Sequence, residues 1–185
     1  MKRKCAIVEF YNQDIFGVKL IKFNKLNDNR GIFCKIYNED IFEANGINID
    51  IKESYYSISE KNVIRGMHFQ IPPYDHDKLV YVANGKVLDV VLDIRKFSST
   101  YKKFISIELS DENGLALFIP KGCAHGFKSL TNNTMMVYNV STVYSPQCDC
   151  GIKYDSFGMD WNVENPIISK RDASFYALED IEKFI

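Results

Sequence analysis

Apolar residues along this chain come in short runs separated by Asn, Asp, Gly and Pro, and few stretches keep a helical repeat. That spacing predicts many strands and little helix, the pattern of a β-sandwich or barrel. Strands are expected over residues 15–23, 32–37, 62–70, 78–83, 86–94, 103–109, 115–119, 125–130 and 135–143. Asn27-Asp28-Asn29-Arg30-Gly31 reads as a turn, residues 38–45 as a short helix and residues 173–184 as the one longer helix. Asn84-Gly85 between two apolar runs predicts a two-residue hairpin with positive φ at both turn positions. The strand after it carries Asp89 and Asp93 inside a Val/Leu/Ile run. The fold expected is all-β, a barrel or jelly roll with short peripheral helices.

Composition narrows the function classes. The 185 residues form one expected domain over 1–185, with 46% hydrophobic and 25% charged residues. A formal net charge of −1 excludes a protein built around nonspecific nucleic-acid binding. No apolar run approaches the roughly 18 residues of a membrane span. The basic opening Met1-Lys2-Arg3-Lys4-Cys5 is followed by only Ala6-Ile7-Val8 before Glu9, too short for a secretory signal. Five cysteines without such a signal point to free thiols and a cytoplasmic location. Cys148-Asp149-Cys150 has no second Cys or His pair beside it and reads as two loop thiols.

There are three histidines, His68, His76 and His125. Strict strand alternation puts Arg65 and His68 on opposite faces, but Gly66 between them is a candidate bulge that resets the parity. His125 follows the corner Pro120-Lys121-Gly122. A partly buried, hydrogen-bonded imidazole is the ordinary role for each. Pro120-x-Gly122-x-x-His125 matches the second half-motif of the cupin barrels, where such a His often binds metal. The first cupin half-motif supplies two His and a Glu; here that stretch offers His68 and Gln70, then Lys78, a cation that cannot ligate. No metal is therefore expected, with a three-histidine site as the competing reading. A fixed Lys can instead stabilise an oxyanion. Tyr138 and Tyr144, six residues apart, share a face of a regular strand. Two core tyrosines are the ordinary case; a phenol placed as proton donor is the functional one. A His, a Lys, an Arg and a Tyr in one cavity suit proton abstraction beside a carbonyl.

The chain resembles the dTDP-4-dehydrorhamnose 3,5-epimerase (RmlC) family over residues 10–180 or so. The resemblance is carried by Arg65-Gly66-Met67-His68-Phe69-Gln70 and its approach from Asn62, by Asp77-Lys78-Leu79-Val80, and by residues 85–95. It continues through residues 119–127, residues 138–146, Gly158-Met159-Asp160-Trp161 and Ser169-Lys170-Arg171-Asp172. The fold implied is a cupin-like jelly-roll barrel. The activity implied is a cofactor-independent epimerase of a nucleoside-diphosphate 4-keto-6-deoxy sugar, in deoxysugar synthesis of the rhamnose type for cell-surface polysaccharide. The resemblance places the general base at His68, its partner carboxylate at Asp172, the oxyanion-side Lys at Lys78 and the acid at Tyr138. It places substrate contacts at Arg65, Gln70, His125 and Tyr144, a nucleotide-phosphate contact at Arg30, and a supporting carboxylate at Asp89. It also implies a homodimer, paired through strand exchange or sheet augmentation near the first half of the chain, with Arg30 reaching across.

Two stretches depart from the family pattern. Glu53-Ser54-Tyr55-Tyr56 stands where the family reads Gln-Asp-Asn-His, and Lys35 stands in place of a Glu. These lie near the nucleotide end of the family's site, so dTDP, GDP and CDP sugars all remain candidates. Inversion at C3, at C5 or at both also remains open, with Tyr138 favouring both. A 3,4-ketoisomerase, a metal-dependent cupin enzyme and an inactive sugar-binding barrel are the competing readings.

Overall fold

The computed structural model describes residues 8–183. The basic opening segment and Phe184 lie outside the described residues. The strands are β1 (Glu9–Asn12), β2 (Lys19–Lys22), β3 (Lys25–Asp28), β4 (Gly31–Cys34), β5 (Glu53–Ser59), β6 (Ile64–Gln70), β7 (Lys78–Asn84), β8 (Lys86–Asp93), β9 (Phe104–Ser110), β10 (Leu115–Ile119), β11 (Cys123–Ser129), β12 (Thr134–Val140) and β13 (Asp149–Gly151). Six of them form a sheet in the order β1-β2-β10-β7-β12-β5, and five form a second in the order β13-β6-β11-β8-β9. β3 and β4 make a separate two-stranded ribbon. The result is the expected jelly roll.

Three apolar layers hold the sheets. The core between them joins Val80, Leu117 and Met136 of the six-stranded sheet to Val87, Val91, Leu109 and Phe127 of the other. The outer face of the five-stranded sheet is covered by Trp161, Leu178 and Ile181. The outer face of the six-stranded sheet is covered by Phe42, Ile47 and Ile49. Central strands are thus buried on both faces, which is why β8 reads as an almost unbroken apolar run. Phe42 comes from α1 (Glu39–Ala44), which starts where Asn38 Oδ1 accepts the Ile41 N–H at 3.0 Å. Such a cap contributes about 1 kcal/mol.

Several expectations are corrected. Asn84-Gly85 does not close a hairpin, because β7 and β8 lie in different sheets. Gly85, at φ +83°, is instead the corner where the chain changes sheet, and a Cβ there would meet Thr131 Oγ1 at 2.5 Å. The strand expected over 15–23 shrinks to β2, because residues 13–18 turn back from β1, with Val18 N donating to Ile15 O. The helix expected over 173–184 is split into α2 (Lys170–Ala173) and a 3₁₀ turn (Leu178–Lys183). Between them Tyr176 bridges to Ile152, and Phe175 packs onto Gly151. Tertiary contacts there override the local helical pattern. β1, β3, β5 and β13 were not anticipated, and the turn expected over 27–31 narrows to the two residues between β3 and β4. Among the described residues no helix is long and apolar enough to cross a membrane, and the four described cysteines are free thiols.

Candidate active site

The bulge anticipated at Gly66 is present. His68 pairs with His125 of β11, but Arg65 pairs with Phe127, so β6 carries one extra residue between them. Gly66 takes φ +123°, and a Cβ on it would stand 2.5 Å from Gly126 Cα and 2.8 Å from His125 O. Only glycine fits. The consequence is that Arg65 and His68 line the same inner chamber.

Behind His68 stands Asp172, from α2. Its Oδ1 lies 3.1 Å from His68 Nε2, off the line of an ideal hydrogen bond, and also accepts Ser169 Oγ–H at 2.9 Å. Oδ2 accepts the Gly66 N–H at 2.9 Å. Burial pushes this carboxyl upward, but His68, the Gly66 N–H and the Ser169 hydroxyl outweigh it and hold it down at about 2. An ionised Asp172 beside Nε2 favours the proton on that nitrogen and leaves Nδ1 of His68 free to accept one. Ser169 caps α2 and so fixes Asp172 by two bonds from one residue.

His125 forms a second buried pair, Nε2 to Asp89 Oδ2 at 2.9 Å. Asp89 sits on the inner face of β8, two residues along from Val91, the direct partner of His125. Gln70 does not project as a free contact. Its Oε1 accepts the Ser145 N–H at 2.7 Å, which sets the amide, and its Nε2 donates to Tyr74 O at 2.8 Å and faces His76 Nδ1 at 3.1 Å. Burial, reinforced by Lys78, pushes His76 down to about 3, so it is neutral. Among the described residues no three His, Cys, Asp or Glu side chains are grouped to hold a metal ion.

The facing sheet supplies the other half. Lys78 of β7 is buried, and its Nζ donates to the His68 carbonyl at 3.0 Å. Burial lowers it to about 8, against the pull of Cys123, Asp89 and Asp149. Tyr138 of β12 is buried with its Oη 3.2 Å from Ser57 Oγ. Burial raises its phenol well above the usual range, so it stays protonated. The inner chamber, about 190 Å³, is lined by Arg65, His68, Lys78, His125, Tyr138 and Tyr55. Tyr55, His68 and Lys78 also line an outer chamber of about 290 Å³, which adds Gln70, His76, Tyr144, Asp149 and Arg171.

Nine of the ten expected residues are thereby placed in or directly behind one two-chambered cavity. Tyr144 lines only the outer chamber, beyond the end of β12, and is mostly exposed, so the shared face expected with Tyr138 ends where the strand does. Arg30 is not brought to the cavity within this chain. It sits on the β3–β4 turn with its side chain 85% exposed, paired to Asp28 at 2.6 Å. Tyr55, Ser57 and Asp149 were missed as site residues. For Ser57 the one signal was negative, a strand whose polar positions face inward.

The family model for dTDP-4-dehydrorhamnose 3,5-epimerase matches residues 12–180. The dTDP-4-dehydrorhamnose 3,5-epimerase of Shigella flexneri is 38% identical over 93% of this chain and 97% of its own. The enzyme of that name from Bacillus anthracis, solved with TDP and PPi bound, superposes with a TM-score of 0.90 at 33% identity, covering 93% of this chain and 100% of its own. The Legionella pneumophila dTDP-6-deoxy-D-glucose-3,5-epimerase, solved with dTDP-4-keto-L-rhamnose, gives 0.89 at 32% identity, covering 94% of each chain. A family match across nearly the whole chain, on a fold that gathers the expected side chains, leads to one conclusion: the chain belongs to the dTDP-4-dehydrorhamnose 3,5-epimerase family of isomerases.

Proposed function

We propose that the protein inverts C3 and C5 of a dTDP-linked 4-keto-6-deoxyhexose without a cofactor, supplying a rhamnose-type sugar nucleotide in the cytoplasm. The observation that carries this reading is the placement of His68 and Tyr138 on opposite sheets of one chamber, with Lys78 beside them. The C4 ketone acidifies the hydrogens on its two neighbouring carbons. His68 Nδ1 takes one, and Asp172 stabilises the imidazolium that forms. The C–H electron pair moves into an enolate whose oxygen meets Lys78, with Arg65 adding positive charge to the chamber. Tyr138 returns a proton from the other face, and that carbon is inverted. His125, held by Asp89, is a neighbouring donor for a ring oxygen.

The outer chamber suits the nucleotide, with Arg171 at its wall as a cation for the diphosphate. A homodimer accounts for two features. β5 is the open edge of its sheet and carries exposed Tyr56 and Ile58, and the β3–β4 ribbon exposes Leu26, Ile32 and Phe33. Pairing the ribbon of one copy with this edge covers both and carries Arg30 toward the other copy's outer chamber.

The deciding experiment is proton NMR of dTDP-4-keto-6-deoxyglucose in heavy water with the purified protein. Loss of both the C3 and C5 proton signals, with formation of the L-sugar, is the expected result. Loss of one signal assigns a single-site epimerase. A C3-ketone product would identify a 3,4-ketoisomerase. No exchange with dTDP-, GDP- or CDP-linked keto-sugars would overturn the reading.

A further inference from the structure

One strand grips the acid side of the cavity at every inward position. On β5, Glu53 Oε2 accepts the Tyr144 N–H at 2.7 Å, and Ser59 Oγ accepts the Arg65 Nε–H at 3.0 Å. Between them Ser57 meets the Tyr138 hydroxyl at 3.2 Å, and Tyr55 lies flat on the Tyr138 ring, centroids 4.8 Å apart and planes 18° apart. Tyr55 and Tyr138 are direct cross-strand partners, the closest placement two side chains on neighbouring strands can have. The Tyr138 ring is therefore held on three sides: its face by Tyr55, its tip by Ser57 and its edge by His125, at 6.2 Å and 70°. Of these, the face contact opposes rotation of the ring toward the outer chamber, which Tyr55 also walls.

We propose that Tyr55 is a positioning residue for proton return, its ring pinning that of Tyr138 so that the enolate is protonated on the face opposite His68. The inference rests on the acid role assigned to Tyr138 above. When the ring is pinned, each abstraction ends in inversion. When it is free, the imidazolium of His68 returns a solvent-derived proton to the face it came from, and the carbon exchanges without inverting. In either case one C–H bond breaks and one forms, and the net proton comes from water.

The test compares two rates in heavy water on dTDP-4-keto-6-deoxyglucose: deuterium entry at C3 and C5, and appearance of the inverted sugar. Tyr55→Leu and Tyr55→Met both keep bulk without an aromatic face, so the test survives if one of them fails to fold. Either should lower inverted product per exchange event by about tenfold, a fraction of what a general acid contributes, while exchange stays within about threefold of the parent. Tyr55→Phe should restore the parent ratio. The proposal is overturned if exchange and inversion fall together in the Leu and Met variants. It is equally overturned if only KM rises, which would make Tyr55 a platform for substrate. A parent protein that exchanges nothing removes the epimerase reading itself, whereas a parent that inverts with ring-less variants of unchanged ratio removes only the role of Tyr55.

Discussion

His68 and Tyr138 enter the same chamber from different sheets, His68 from β6 beside β11 and Tyr138 from β12 beside β7. The proposed base and acid are therefore mounted on separate pieces of backbone, and removing one leaves the other in place. Tyr138→Phe should keep deuterium exchange into the substrate while cutting inversion by about 10²-fold, the lower range for losing a general acid. His68→Ala should abolish both. Heavy-water NMR on the two variants reads both outcomes, and loss of exchange in Tyr138→Phe would show that the phenol acts before the proton is removed.

Asp172 tests the base from behind. Asp172→Asn keeps the shape but removes the charge that orders the imidazole, and an amide N–H facing Nε2 favours the wrong tautomer. Turnover should fall by roughly 10⁴-fold with little change in KM, as when a triad aspartate is replaced. Steady-state kinetics beside a titration of substrate binding separates this from a collapsed site.

Lys78 should set an alkaline limb. Its ammonium is held down at about 8 by burial, so kcat should fall as pH rises through that value. Lys78→Arg should remove the limb, since a guanidinium stays charged. Stability runs the opposite way. Between about 8 and the ordinary lysine value the unfolded chain binds more protons than the folded one, so Lys78 makes stability rise with pH there. Lys78→Met should accordingly raise Tm at pH 7 and lose that advantage by pH 10, a reversal that thermal melts across pH would detect.

Acid should act through two buried carboxylates. Asp172 and Asp93 are both held at about 2; burial works against each, but Asp93 is gripped by Arg95, Ser98 and Thr100. Depressed carboxylates contribute stability above their ordinary range, and that contribution is lost as pH falls toward 2. Asp93→Asn should flatten the stability profile between pH 4 and 2 measured by urea unfolding, while leaving the Asp172 share intact.

Gly66→Ala should be severe. Two backbone atoms lie inside 3 Å of the added methyl, and φ +123° is strained for any side chain. A loss of about 3 kcal/mol or more is expected. A variant of parental stability in urea would mean that β6 and β11 can move apart, contrary to the packing described.

Much of the barrel was legible because β7, β8 and β10 are largely apolar on both faces, a signal that survives without knowing the partners. The short helix over residues 38–45 was equally plain. What the sequence concealed has a common cause. The inward residues of β5 include Glu53, Ser57 and Ser59 while its outward ones include Tyr56 and Ile58, so the usual rule is inverted by a polar cavity on one side and a sheet edge on the other. Asn84-Gly85 misled because a chain changing sheet needs the same positive φ as a hairpin. Arg65 and His68 were reconciled only through Gly66, and Asp172 was reachable only by family likeness, since it lies 104 positions after His68 and no local pattern links them.

The placement of β5 has an evolutionary consequence. The proposed base is wired into the middle of one sheet by backbone contacts that tolerate no added atom at Gly66 or Gly126. The proposed acid is steadied by side chains on the outermost strand of its sheet. Substitutions on that strand can therefore alter the stereochemical outcome while the step that breaks the C–H bond is left untouched. A lineage can explore new sugar configurations by changing its edge, without rebuilding its catalyst.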